Sequence, residues 1–165
     1  MNKFLIICIL LSISTLSFAV ELPKGWRLPT KKELSQEPLR NKSSTKNIKV
    51  EADFNGDGKV DTALLLKNTS NQSEGLFVRL SGYSWQLINQ IKKKVEIPYN
   101  LGISLASPNN YKTACGKGYG KCDNVDSLTL MLNLPGIFLF TFESAHSVWY
   151  WDSSTNEFKQ TWLSD

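Results

Sequence analysis

The stretch KVEADFNGDGKVDTALLLKN, residues 49–68, decides the fold of this chain. Its centre, DFNGDGKVD at Asp53–Asp61, is polar and contains three acids. The flanking segments IKVEADF and TALLLKN carry the apolar and β-branched residues that favour strands. The pattern therefore predicts two strands joined by an acidic loop, with a β-rich region that begins at Ile48.

The β pattern continues to the end of the chain. SWQLINQI at 84–91 fits either a strand or the start of a helix. The clearer strand-like segments are LFVRLS, LGISLAS, SLTLMLNL, IFLFTF, VWYWD and FKQTW, at 76–81, 101–107, 127–134, 137–142, 148–152 and 158–162. Because short polar turns join most of them, we predict a β-dominated α+β fold: an antiparallel meander sheet, with a short N-terminal helix, in a single domain.

Alternating aromatic residues mark the last three of these segments. Phe138, Phe140 and Phe142 share one face of their strand, since successive side chains point to opposite sides. Trp149 and Trp151 share a face in the next segment, and Phe158 and Trp162 lie on one side of the last. The simplest interpretation is that these rows form the core. The alternative is an aromatic platform for a ligand.

The chain before the β-rich region divides into two parts. Residues 1–19 have Lys3, an apolar run and small residues up to Ala19, which together predict a secretory signal peptide that takes Cys8 with it. Residues 20–47 are polar, and TKKE at Thr30–Glu33 has the form of a capping box. It predicts a short helix over 31–36, and the β-rich domain then spans 48–165.

Export and charge limit the location and the partners. Losing Lys3 with the signal lowers the 19 basic residues to 18 against 15 acids, a net charge of +3. This charge is too small to indicate nucleic acid or an anionic membrane surface. No apolar run is long enough for a membrane helix. We expect a periplasmic protein without membrane insertion.

Two cysteines remain in the exported chain, Cys115 and Cys122 of CGKGYGKC. An even pair in an exported protein predicts a disulfide. A metal pair fits less well, because the spacing is not that of zinc ligands and no His lies nearby. Such a stapled loop presents Lys117, Tyr119 and Lys121 outward, and these residues are our predicted contacts with a protein partner.

The acidic loop has the ligand order of a calcium site. Its oxygen-bearing side chains fall at positions 1, 3, 5 and 9, Gly58 stands at position 6, and a backbone carbonyl is available at position 7. Leu64 replaces the glutamate of an EF-hand at position 12, and the flanking segments have the pattern of strands, not of helices. ADFNGDGKVDTALL instead resembles the loops of FG-GAP and VCBS-type repeats. That resemblance implies structural calcium held by Asp53, Asn55, Asp57, Lys59 and Asp61.

A turn without metal is the alternative for this loop. Asn55, Gly56, Asp57 and Gly58 are common turn residues, and they suffice to connect two strands. Three carboxylates within nine residues repel one another, which favours a cation. Water around an exposed turn weakens that repulsion, so the pattern leaves both alternatives open.

No catalytic constellation stands out in the sequence. The one histidine, His146, lies in the polar segment ESAHS between two aromatic strand-like segments, and we predict that it is a turn residue. The paired cysteines leave no thiol nucleophile, and GKGYGK lacks the ending of a phosphate-binding loop. We expect a binding protein and not an enzyme.

The layout of the whole chain suggests a function. A signal peptide precedes GWRLPTKKEL, the acidic loop, YKTACGKGYGKC and a C-terminal YWD segment. This layout resembles that of small periplasmic proteins of Gram-negative bacteria of the immunity and inhibitor type. The resemblance implies a partner that is a secreted toxin, such as a type VI secretion effector, or a lysozyme-like wall hydrolase. The alternative function is a calcium-dependent envelope or adhesion module that binds glycan or a structural partner.

Overall fold

A computed structural model describes residues 21–92, 100–122 and 125–164 of the chain; the expected signal peptide, 1–19, lies outside them. One α-helix, α1, spans Lys31–Leu34, and short 3-10 helices span Pro38–Lys42, Cys115–Lys117 and Val125–Leu128. The strands are β1 Trp26–Arg27, β2 Lys49–Ala52, β3 Asp61–Asn68, β4 Glu74–Arg79, β5 Gln86–Ile91, β6 Leu101–Ala106, β7 Asn109–Lys112, β8 Thr129–Leu132, β9 Gly136–Thr141, β10 His146–Asp152 and β11 Glu157–Ser164.

The predicted β-dominated, antiparallel fold is confirmed, and the strands form two larger sheets and a ribbon instead of one sheet. In the first sheet, β2, β3, β4 and β5 pair consecutively, and β1 pairs with the far end of β3. The second sheet has the order β11-β10-β9-β6, all antiparallel. The chain between β6 and β9 forms the two-stranded ribbon β7-β8. The ambiguous segment SWQLINQI contributes a strand, β5.

The main core lies between the two larger sheets. Alternation along each strand sends one set of side chains inward, and these are mostly aliphatic. The first sheet provides Val50, Ala63, Leu65, Leu76 and Val78, joined by Phe54 from the acidic loop. The second sheet provides Leu101, Ile103, Ile137, Leu139 and Trp149.

The phenylalanine row of β9 does not lie in this main core. Ile137 and Leu139 face inward, so Phe138 and Phe140 take the opposite face of the second sheet. There Phe138 packs in a second cluster that the β7-β8 ribbon covers through residues such as Tyr111. The alternation was therefore predicted correctly, but the core position of the row was wrong. A sheet covered on both faces has no polar side that would show which row faces the main core.

The N-terminal segment packs onto the first sheet through one carboxylate. The predicted capping box is confirmed: Thr30 Oγ1 accepts from Glu33 N at 3.2 Å, and Thr30 N donates to Glu33 Oε2 at 2.7 Å. The same carboxylate pairs with both guanidinium nitrogens of Arg27 at 2.9 Å and with Lys67 Nζ at 2.6 Å. Glu33 thus joins α1 to β1 and β3.

Among the residues described, no helix has the length and apolar character needed to cross a bilayer.

Candidate functional site

The acidic loop connects β2 to β3, and its fold depends on Asp53. Asp53 Oδ1 accepts from Gly56 N at 2.7 Å and from Asp57 N at 3.1 Å, while Oδ2 accepts from Gly58 N at 2.8 Å. Gly56 and Gly58 both have φ of 79°, a conformation that glycine adopts without steric cost. The Asp53 carboxylate therefore accepts hydrogen bonds from three consecutive backbone N–H groups of the loop.

Asn55 and Asp57 complete the loop with shorter-range bonds. Asn55 Oδ1 accepts from Asp57 N at 3.1 Å, and Asp57 Oδ1 accepts from Lys59 N at 2.9 Å. Asp57 and Lys59 are exposed, and Asn55 is partly buried. Bonds of this kind, from a side chain to an amide two residues on, stabilise polar turns without a metal.

Asp61 has a different environment from the other acids. It is fully buried, with 0% of its surface exposed, at the first position of β3. Its Oδ2 accepts from Phe54 N at 2.9 Å and its Oδ1 from Ser81 N at 2.8 Å. Asp61 therefore ties both ends of the loop to the end of β4, which is a structural role that the sequence pattern did not predict.

The donor set of the loop fits calcium chemically. Asp53, Asn55, Asp57 and Asp61 supply oxygen atoms and Lys59 a backbone carbonyl, which is the hard-ligand chemistry that calcium prefers. Hydrogen bonds from backbone N–H groups to these carboxylates do not exclude a cation, since each oxygen has a second lone pair. Carboxylates that bind metals are themselves usually held by such hydrogen bonds. Across residues 21–92, 100–122 and 125–164, however, no three His, Cys, Asp or Glu side chains converge as a metal cluster.

The predicted disulfide is present: Cys115 and Cys122 are joined, with their Cα atoms 5.2 Å apart. Thr113, which is buried, anchors the base of this stapled loop. Its Oγ1 donates to Ser127 O at 2.6 Å and accepts from Gly116 N at 3.0 Å. A β-carbon on Gly116 would meet Leu128 O at 2.1 Å, so only glycine fits here.

The stapled loop is also bound to the end of β11. Ala114 N donates to Trp162 O at 2.8 Å, and Tyr119 N closes the loop internally by donating to Ala114 O at 3.0 Å. The loop is therefore held by one covalent bond and by hydrogen bonds to two separate parts of the chain. These restraints come from the chain itself and fix the conformation of the loop.

The three predicted contact residues differ in orientation. Tyr119 is 55% exposed and Lys121 is exposed, as expected. Lys117 instead directs its Nζ back to the protein, where it donates to Leu163 O at 2.8 Å. Its ammonium group holds the loop against β11, so Tyr119 and Lys121 are the side chains that project.

His146 was predicted to lie in a turn, but it belongs to a strand and pairs with a serine side chain. It begins β10, and its Nδ1 lies 2.6 Å from Ser164 Oγ on β11. Burial, and secondarily the charge of Lys117, lower the pKa of the imidazole below its ordinary value of 6.5. A neutral imidazole beside a hydroxyl is one element of a nucleophilic site, but a triad also needs an orienting group. Only the pairing of β10 with β11 brings these residues together, and no sequence motif marks it.

Comparison with known proteins identifies no relative: no family model matches this chain, and no curated protein or solved structure matches it either.

Proposed function

We propose that this protein is a non-enzymatic periplasmic inhibitor, an immunity-type protein that neutralises a toxin directed at the cell envelope. The toxin class is a type VI secretion effector or a lysozyme-like wall hydrolase. The observation that carries the proposal is the stapled loop, which projects Tyr119 and Lys121 from a base held by the disulfide and by Thr113.

A rigid projection suits the inhibition of an enzyme with a cleft. A segment already fixed in its bound shape loses little conformational entropy on docking, so more of the contact energy remains as affinity. Tyr119 offers a large amphipathic ring, and tyrosine is enriched among residues that dominate binding energy. Lys121 adds positive charge, which complements the carboxylates of wall hydrolases.

The experiment is an inhibition assay with the mature protein, residues 20–165. Purified lysozyme-type hydrolases and type VI wall-degrading effectors are incubated with peptidoglycan, with and without the mature protein. Hydrolysis is measured as the loss of turbidity. We expect stoichiometric inhibition of at least one enzyme. The double variant Tyr119→Ala, Lys121→Ala should weaken inhibition at least tenfold while the melting temperature is unchanged.

Controls separate the loop from general surface effects. Lys24→Ala removes an exposed lysine of the N-terminal segment and should leave inhibition unaltered. Full inhibition by the Tyr119, Lys121 double variant would remove the loop as the contact. No inhibition across the panel, with folded protein at micromolar concentration, would contradict the inhibitor function itself.

The second candidate function is a calcium-dependent envelope module that binds glycan or a structural partner. The observation that favours it is the acidic loop, in which amide donors already orient the Asp53 carboxylate. Calcium would be held by Asp53, Asn55, Asp57, Asp61 and the Lys59 carbonyl, and it would stiffen the β2–β3 connection. Titration calorimetry of the mature protein with calcium tests this role, and Asp57→Ala should abolish the heat of binding.

A further inference from the structure

An open cleft of about 820 Å³ lies beside the acidic loop, in the part of the molecule where three connections meet. The β2–β3 loop contributes Asn55 to its wall. The turn between β4 and β5 contributes Tyr83 and Ser84, and the turn between β10 and β11 contributes Ser153 and Asn156. Because the two larger sheets each provide part of the wall, the cleft is a product of the fold and not of one segment.

Two aromatic side chains line the cleft, and one of them is rigidly supported. Tyr83 is 69% exposed. Trp151, from β10, packs edge-on against Phe158, with ring centroids 5.3 Å apart and planes at 71°. Phe158 packs in turn against Phe54, at 6.3 Å, and Phe54 belongs to the main core. This row of rings fixes the indole of Trp151 at the wall of the cleft, so one aromatic surface is preformed.

The polar side chains of the cleft keep their hydrogen-bonding capacity. In the part of the chain that the structure describes, the side chains of Tyr83, Ser84, Gln86, Ser153 and Asn156 make no hydrogen bond or ion pair. Asn55 uses its carbonyl for Asp57 N, at 3.1 Å, and its NH₂ group has no partner among the described residues. All nine residues that line the cleft are uncharged. The cleft thus combines carboxamides and hydroxyls with aromatic faces, and it has no formal charge.

We propose that this cleft binds a neutral oligosaccharide. A pyranose ring has a face of C–H groups with partial positive charge, which packs on the electron-rich face of an aromatic ring. Its rim carries hydroxyls that both donate and accept, and carboxamides such as those of Gln86 and Asn156 match them because they too do both. The proposal rests on the second candidate function and deepens it by naming the ligand class and the site.

Other ligand chemistries fit these residues less well. A phosphate or carboxylate ligand is usually held by arginine or lysine, and neither residue type is among those that line the cleft. An acyl chain would bury the polar side chains without hydrogen bonds, which costs free energy for each group. A sugar satisfies the polar groups and covers the rings at the same time.

The test is titration of the mature protein with soluble tetrasaccharides, followed by calorimetry and by the indole N–H signals in NMR spectra. Tetramers of N-acetylglucosamine and of glucose are the neutral probes, and a uronic acid tetramer is the charged control. We expect binding of a neutral tetramer and none of the charged one. The two neutral probes also show whether an acetamido group is required.

Two variants locate the binding in the cleft. Tyr83→Ala should weaken it about tenfold without changing the melting temperature, because the ring is mostly exposed. Asn156→Gly removes a carboxamide at a residue with φ of 53°, which glycine adopts without strain, and should also weaken binding severalfold. Trp162→Ala is the matched control, since it removes an exposed aromatic side chain at the far end of β11, and affinity should be unchanged.

The outcomes separate this proposal from the function on which it rests. Absence of binding at millimolar tetramer, or equal affinity of Tyr83→Ala and wild type, would overturn the cleft as a glycan site. Calcium binding measured in the same protein would then leave a module that binds a structural partner. Glycan binding that survives a chelator would retain the cleft and reject the calcium dependence of the second candidate function.

Discussion

The acidic loop and the stapled loop lie at opposite ends of β10 and β11, and different forces hold them. The acidic loop borders the β10–β11 turn, together with Ser153 and Asn156. The stapled loop binds the backbone of Trp162 and Leu163 at the far end of β11. Eight residues of extended strand separate these ends by about 25 Å.

The two loops should respond differently to their surroundings. The turn of the acidic loop is shaped by Asp53, which accepts from amides three to five residues further on, so this part of its conformation is encoded locally. Asp61 then secures the loop to the segment after β4. The stapled loop is shaped by a disulfide and by hydrogen bonds to the 3-10 helix Val125–Leu128 and to β11, so it depends on oxidation and on the fold around it. Cations should affect the first loop and reductant the second.

Of the substitutions that we consider, Asp61→Asn should cause the largest loss of stability. A carboxamide keeps the size of the side chain but replaces one acceptor with an NH₂ group, which would face the N–H of either Phe54 or Ser81. A buried amide without its acceptor should lower the free energy of unfolding by about 2–4 kcal/mol. Urea denaturation measures the loss.

Asp57→Asn is the control for that experiment. Asp57 is exposed and makes one local bond, to Lys59 N, so its variant should be almost as stable as the wild type. Equal losses in the two variants would mean that the bonds of Asp61 to Phe54 and Ser81 do not secure the loop.

Glu33→Gln extends the comparison to a third restraint, an ion pair network. The Arg27 guanidinium first, then the Lys67 ammonium and the Thr30 donors, hold the pKa of Glu33 far below its ordinary value of 4.5. The wild type should therefore lose this stabilisation as pH falls below about 4.5, since the unfolded chain then binds a proton that the folded chain excludes. At pH 7 the variant should be less stable by about 2–3 kcal/mol.

A pH series of unfolding free energies tests this prediction, because the difference between Glu33→Gln and wild type should shrink toward acid. Glu51→Gln is the matched control: Glu51 pairs with Lys49 at 2.8 Å, but both side chains are nearly half exposed. An exposed pair of this kind contributes little. A difference for Glu33→Gln that is constant from neutral pH to pH 3 would contradict the role of its charge.

Removing the disulfide should affect the stapled loop and not the acidic one. Replacing Cys115 and Cys122 by serine opens a short covalent loop, and the chain-entropy model gives a loss of about 2–3 kcal/mol. Hydrogen exchange should quicken at Lys117 and Tyr119. The amides of Gly56 and Gly58 should exchange as before, and faster exchange there would show that the two ends are coupled.

Local patterns were predicted well from the sequence. The capping box of Thr30 and Glu33, the acidic turn and the disulfide each depend on residues close together in the chain. The ion pair of Glu33 with Lys67 could not be predicted, because it joins residues 34 positions apart that only the docking of α1 on β3 brings together.

The face of each sheet that lies in the main core, and the existence of the cleft, could be recognised only from the tertiary structure. Alternation shows that Phe138 and Phe140 share a face, but only the second sheet's position between the first sheet and the β7-β8 ribbon decides which face is the main core. The strand β7, NNYK, carries no apolar alternation and was not predicted. Tyr83 and Trp151 meet at one cleft because two separate sheets end there.

The smallest effect that we predict is that of calcium, which should raise the melting temperature through the acidic loop alone. A concentration ten times the dissociation constant stabilises the folded state by about 1.4 kcal/mol, or about 5 °C for a domain of this size. Differential scanning calorimetry with calcium and with chelator measures the shift. Asp57→Ala should abolish it, and Glu157→Ala, at an exposed acid of β11, should not.

The same titration on the protein without Cys115 and Cys122 tests whether the two loops are independent. Restraints this far apart, which share no partner among the residues described, should contribute additively to stability. Calcium should therefore raise the melting temperature of the cysteine variant by as much as that of the wild type. The variant should melt at a lower temperature than the wild type both with and without calcium. A smaller shift in the variant would mean that β10 and β11 transmit order from one end to the other. An absent shift in both proteins would leave Asp53 and its amide donors as a turn that needs no cation.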